Sequence, residues 1–164
     1  MTRDEVLAKL REQRAEFDGR LQAIPRRALD RPISGATHSP KQILAHVSAY
    51  ERLIVERLQA ARLGETTEFD RDRAGWEAFN DRVWAETAGL PVEVVLARSA
   101  TDFLALLEEV AGLADAELVE ERGVTAAVDP AWLQGRALWE AIAVDGFDHY
   151  PMHFAQLEAA TTAE

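Results

Sequence analysis

An all-α fold is predicted, a four-helix bundle with one or two additional short helices, and three observations predict it. Apolar residues recur at helical spacing along nearly the whole chain, strong helix start signals precede the long segments, and no stretch alternates as a half-buried strand would. With 164 residues and no low-complexity linker or internal repeat, residues 1–164 read as one helical-bundle domain.

The first helix is expected from Thr2 to Ile24. Thr2 and Glu5 have capping-box spacing, Val6, Leu10, Phe17, Leu21 and Ile24 form a stripe, and Pro25 stops it. Pro25 to His38 reads as a short helical turn and a loop, broken by Pro32 and Gly35. The second helix starts at Ser39 as N-cap, with Pro40 at the first helical position and Gln42 completing the box. Its stripe is Ile43, Val47, Tyr50, Ile54 and Leu58, and Gly64 suits the residue after its end. A third helix is expected from about Asp70 to Ala88, anchored by Trp76, Phe79, Val83 and Trp84. Pro91 opens a fourth, carrying Val94, Val95, Phe103, Leu104, Leu107 and Val110. A short turn near Asp115 to Glu120, a loop from Glu121 to Pro130 and a last helix from Trp132 to Ala160 complete the reading.

Composition removes several function classes. There is no cysteine, which excludes disulfides, thiolate ligands and redox chemistry at sulfur. The 18 basic and 29 acidic residues leave a formal charge of −11, against nucleic-acid binding. No signal peptide is visible and no stretch approaches the ~18 apolar residues of a membrane span, so a cytoplasmic protein that engages no membrane is expected.

Chemistry concentrates in three of the four histidines. On a wheel with His46 at the origin, Tyr50 lies about 40° away, Ile43 about 60° and Ile54 about 80°, which turns His46 inward. His149 and His153 are four residues apart and share the sector of Trp139, Ile142 and Leu157. A lone inward histidine is most often a core residue; three, two of them at i,i+4, make a facial ligand set for Zn, Ni, Fe or Mn with open positions. Pro151 lies between the pair and is expected to kink the helix, with Gly146 making room beside it.

Around that set, Tyr50 and Asp145 are candidate catalytic groups: a phenol one turn beyond His46, and a carboxylate that could orient an imidazole or act as a base. Trp76, Asn80 and Trp139 are candidate substrate-binding residues, although Asn80 fits a structural bridge better. Gln156 is the weakest candidate, His38 reads as a surface loop residue, and Asp148 and Glu51 are expected to face water. No phosphate loop or nucleophile elbow is present, so a metal-activated water or ligand is the economical mechanism.

Three segments resemble the DinB/YfiT-like superfamily. They are "SPKQILAHVSAYERLI", "WEAFNDRVWAETAGLPVEVVLARSATDFLALLEEV", which is similar to the branch containing ClbS/DfsB-like proteins, and "HYPMHFAQL", close to a terminal H-x-x-x-H-x-x-Q pattern. The resemblance implies a four-helix core, often a homodimer, with a divalent metal on His46, His149 and His153. It also implies a small, electrophilic substrate attacked by water or by a low-molecular-weight thiol, as in the superfamily's hydrolases and thiol transferases. ClbS itself lacks the triad, so its chemistry does not carry over intact, although Tyr50 and Asn80 lie in regions similar to that branch. The alternative is a non-catalytic protein that sequesters a small hydrophobic molecule without metal.

Overall fold

The computed structural model describes residues 1–33, 37–73 and 75–161; the breaker Gly35 lies outside the described residues. The long elements form where capping and apolar spacing agree. Helix α1 spans Arg3–Gln22, opened by the Thr2–Glu5 capping box, and buries Val6, Leu7, Leu10, Phe17 and Leu21. Helix α2 spans Pro40–Arg62 behind the Ser39–Gln42 box. Gly64 follows its end in the left-handed region at φ 69°, which an L side chain rarely adopts.

Between α2 and the fourth long segment, the expected single helix is two. Helix α3 covers Glu68–Asp72 and α4 covers Gly75–Ala88. Thr67 caps α3 by accepting the Asp70 N–H at 3.1 Å, and the chain then turns through Arg73 (φ 49°) and Gly75 (φ 81°). Two left-handed residues end an α-helix whatever the apolar spacing around them. Helix α5 runs Val92–Ala111 with Pro91 as N-cap; Leu106 and Val110 are buried, whereas Leu104, expected inside, is exposed. Helix α6 follows at Asp115–Val119, and the expected loop beyond it contains a 3-10 turn at Gly123–Ala126.

The largest departure is at the C-terminal end, where the helix expected from Trp132 to Ala160, kinked at Pro151, is four pieces. These are α7 (Pro130–Leu133), α8 (Leu138–Asp145), a 3-10 turn at Tyr150–His153, and α9 (Phe154–Thr161). Gln134 (φ 51°) and Gly135 (φ 76°) stop α7. Helix α8 ends where Gly146 leaves helical geometry at φ −116°, ψ −107°, a position that suits glycine because a Cβ there would stand 2.6 Å from the Ile142 carbonyl oxygen and 3.2 Å from Leu10. Pro151 has no N–H to give to Phe147, so an unbroken α-helical ladder cannot run through this position.

Helix α2 is the central element, packed against α5 and α4 and touching α8 and α9, while α1 lies against α5, α9 and the 3-10 turn at Tyr150–His153. A single apolar cluster joins α1, α2, α5, α8 and α9; a small second one joins Ala49 and Leu53 to Phe79 and Val83. No strand occurs among the described residues, and no helix there is long and apolar enough to cross a membrane.

Candidate metal centre

His46 sits on the inward face of α2, nearly two turns inside a capped N-terminus. His149 and His153 come from the interrupted stretch after α8 and bracket the Tyr150–His153 turn. In a 3-10 turn residues four apart do not stack as they do in an α-helix. The rings nevertheless converge, with His46 Nε2 3.1 Å from His149 Nε2 and His149 Nε2 3.2 Å from His153 Nε2. One ligand atom from each of the three lies within 4.8 Å of the others.

Two of the three donor gaps match a cation. Neighbouring imidazole nitrogens bound to one metal at about 2.0–2.1 Å would stand about 2.8–3.4 Å apart, from octahedral to tetrahedral arrangements, and His46 and His153 each stand at such a distance from His149. The bond from His153 Nδ1 to Gln156 Oε1, 2.7 Å, makes that nitrogen the N–H donor and leaves Nε2 with its lone pair. Burial, reinforced by mutual repulsion within the cluster, lowers the pKa of His46 to about 3 and of His149 to about 4, and burial lowers that of His153. The three are therefore neutral near pH 7, the form in which imidazole ligates. His46 Nδ1 and His149 Nδ1 are buried without a hydrogen-bond partner among the described residues, although Asn80 and the Asp145 carbonyl face them closely enough to oppose the downward shifts.

A cavity of about 600 Å³ opens beside His149, with Tyr50, Arg57, Trp76, Trp132 and Asp145 in its wall. Tyr50 stands between cavity and triad. Its ring is 4.8 Å from that of His46 and 4.5 Å from that of His149, and it stacks on Trp76 at 5.0 Å with 12° between planes. Its hydroxyl donates to Asn80 Oδ1 at 3.3 Å, and burial raises its pKa to about 12. Asn80 thus bridges, as its position between Trp76 and Trp84 suggests.

Asp145 reaches the wall already engaged. Its Oδ2 accepts from Arg57 Nη1 at 3.0 Å and Trp132 Nε1 at 2.8 Å. Arg57 also makes a two-point ion pair with Asp70, and its guanidinium lies 4.8 Å from the Trp132 ring centroid. Trp139 is half-buried against the main apolar cluster and does not line the cavity. Asp148 faces solvent as expected. His38 is half-buried against Trp84, not free on the surface.

Glu51 is the clear reversal: it is fully buried, not solvent-facing. Its Oε1 accepts from Arg14 Nη1 at 2.7 Å and from the Tyr150 hydroxyl at 2.6 Å. The Arg14 Nη2 donates to Ser99 at 2.8 Å. Sequence reasoning also missed Arg57 and Trp132. A signal existed for each charged residue: Arg14 lies four after Leu10 and three before Phe17, Glu51 four after Val47, and Arg57 seven after Tyr50.

A helical bundle with imidazoles from its second helix and its last segment meeting beside a cavity defines a recognisable class. Residues 9–156 match the family model of the DinB superfamily, and the chain belongs to that superfamily. A Streptococcus pneumoniae protein of known crystal structure superposes with a TM-score of 0.78 at 13% identity, over 96% of this chain and 88% of its own; that likeness shows the fold. No curated protein matches the chain.

Proposed function

We propose that this protein is a metal-dependent enzyme that transforms a small electrophilic molecule in the cavity beside His149. The convergence of three neutral imidazole nitrogens, with His149 in the wall of that cavity, carries the reading. His46, His149 and His153 would hold a divalent cation, of the Zn, Ni, Fe or Mn group. When bound, the cation supplies Lewis-acid chemistry at the boundary between triad and cavity.

The chain's own groups divide the remaining work. Gln156 fixes the His153 tautomer. Tyr50, held protonated by its raised pKa, is a hydrogen-bond donor to negative charge developing on a substrate atom, not a base. Asp145 acts as a positioning residue that holds Arg57 and Trp132 in the wall. Trp76 and Trp132 take the substrate-binding part, with Trp139 left to packing. From the superfamily resemblance the reading includes water or a low-molecular-weight thiol as nucleophile, and a homodimer.

Metal analysis of untagged protein, before and after reconstitution with each cation, tests this. About one equivalent per chain is expected, lost in a variant carrying alanine at all three histidines. A stoichiometry that stays near zero after reconstitution rejects the reading. The aromatic wall also suits binding without turnover, and a ligand recovered chemically unchanged from metal-loaded protein would favour that second reading.

A further inference from the structure

The charges in the cavity wall are not balanced. Arg57, Arg73 and Arg136 line it against two carboxylates, Asp70 and Asp145, so it carries a positive excess inside a chain of formal charge −11. Arg57 is neutralised by ion pairs to both aspartates, at 2.6 Å to Asp70 and 3.0 Å to Asp145. Arg136 is not. It is half-buried, and its hydrogen bonds go to neutral acceptors, the Leu133 carbonyl and Gln134 Oε1, both at 3.1 Å. Burial raises the Asp145 pKa, and Arg136 lies near enough to oppose that rise, yet forms no ion pair with that carboxylate. Arg73, held in the left-handed region between α3 and α4, has no carboxylate partner among the described residues either, and it also borders a neighbouring groove containing Glu65 and Asp129.

The wall also offers a flat apolar surface. Trp76 is 40% exposed and lies nearly parallel to Tyr50, with Phe69 4.7 Å from it, centroid to centroid. An unpaired guanidinium presents a rigid fork that matches a carboxylate, and an aromatic face favours a planar apolar body. We propose, building on the reading of this cavity as the substrate site, that its ligand is a planar small-molecule carboxylate. The ring lies along Trp76 and Tyr50, and the carboxylate is held first by Arg136 and then by Arg73.

Calorimetric titration of the metal-free full chain with cinnamate and with its neutral amide tests the proposal, because carboxylate affinity for a cation then contributes nothing. The acid is expected to bind about tenfold more tightly than the amide, the size of one hydrogen-bonded charge pair. Arg136→Gln with Arg73→Gln should remove that ratio, and Arg73→Gln alone, at an exposed position, should reduce it; circular dichroism checks that both variants fold. Equal affinities for acid and amide, no binding of the acid, or a preference that survives the double substitution overturns the proposal. Zinc stoichiometry of the same proteins after reconstitution separates the two readings. Zinc bound without a preference for the acid sinks only this one, and the preference without zinc sinks only the metal centre.

Discussion

The two sides of α2 treat buried polarity in opposite ways. On one side His46 meets His149 and His153 through ring nitrogens that face one another, all three imidazoles neutral. On the other, Glu51 is held by Arg14 and by Tyr150, and Arg14 is further engaged by Ser99 and Asp18. The second network closes on itself except for Glu51 Oε2, which has no partner among the described residues; in the first, the Nε2 atoms face only one another, and His46 Nδ1 and His149 Nδ1 have no hydrogen-bond partner among the described residues. The difference separates a structural clamp from a ligand set. The two meet in consecutive residues, since Tyr150 turns towards Glu51 while His149 turns towards His46. The clamp therefore fixes the turn on which two of the three imidazoles depend.

Breaking the clamp should give the largest effect. Arg14→Met strips the buried Glu51 carboxyl of its cation, and removing one partner of a buried ion pair costs about 3–5 kcal/mol. Urea denaturation in mildly alkaline buffer is expected to show a loss of that order, with the folded fraction still binding zinc. A loss below about 1 kcal/mol would mean that the Tyr150 hydroxyl, not Arg14, holds Glu51.

The opposite substitution belongs to the ligand side. Gln156→Leu removes the acceptor that fixes the His153 tautomer, and loss of such a partner lowers metal affinity about 10–100-fold. Competition against a chromophoric chelator measures it, while the unfolding free energy from urea titration should change by no more than about 0.5 kcal/mol. A fall in stability with unchanged zinc affinity would make Gln156 part of the packing and blur the contrast between the two sides.

Legibility followed the same division. Capping boxes and apolar periodicity are local, so the starts of α1 and α2, the stripe of α2 and the inward turn of His46 could be read directly. The triad was legible because metal-ligating types at i,i+4 narrow the alternatives, although the backbone between them is not the α-helix that the spacing suggested. Glu51 was not legible, because a carboxylate beside an apolar stripe faces water unless something distant meets it, and Arg14 lies 37 residues away. Trp132 was missed as a cavity residue for a related reason. Its place in the wall depends on left-handed Gln134 and Gly135 separating α7 from α8, and Gln134 is not a residue type that announces positive φ. Trp139, on α8, is half-buried against the main apolar cluster instead.

The smallest effect, and the sharpest test of the contrast, is in the pH dependence of stability. The histidines have folded pKa values lowered from 6.5, to about 3 for His46 and about 4 for His149. Their contribution is fully present above 6.5 and is lost as pH falls towards those values, because the unfolded chain then binds more protons. Glu51 runs the other way. Burial outweighs the Arg14 guanidinium and raises its pKa from 4.5 to about 7, so its contribution is present below 4.5 and lost as pH rises through about 7. Between 4.5 and 6.5 the two slopes oppose each other, and the metal-free protein should show a shallow profile there. Glu51→Gln keeps an acceptor for the Tyr150 hydroxyl and removes only the opposing slope. Urea midpoints across that range should therefore climb more steeply with pH in the variant than in the parent. Parallel profiles would mean that Glu51 holds one charge state throughout, which would make the Arg14–Glu51 contact a permanent ion pair and Tyr150 the donor to a carboxylate at every pH in the window.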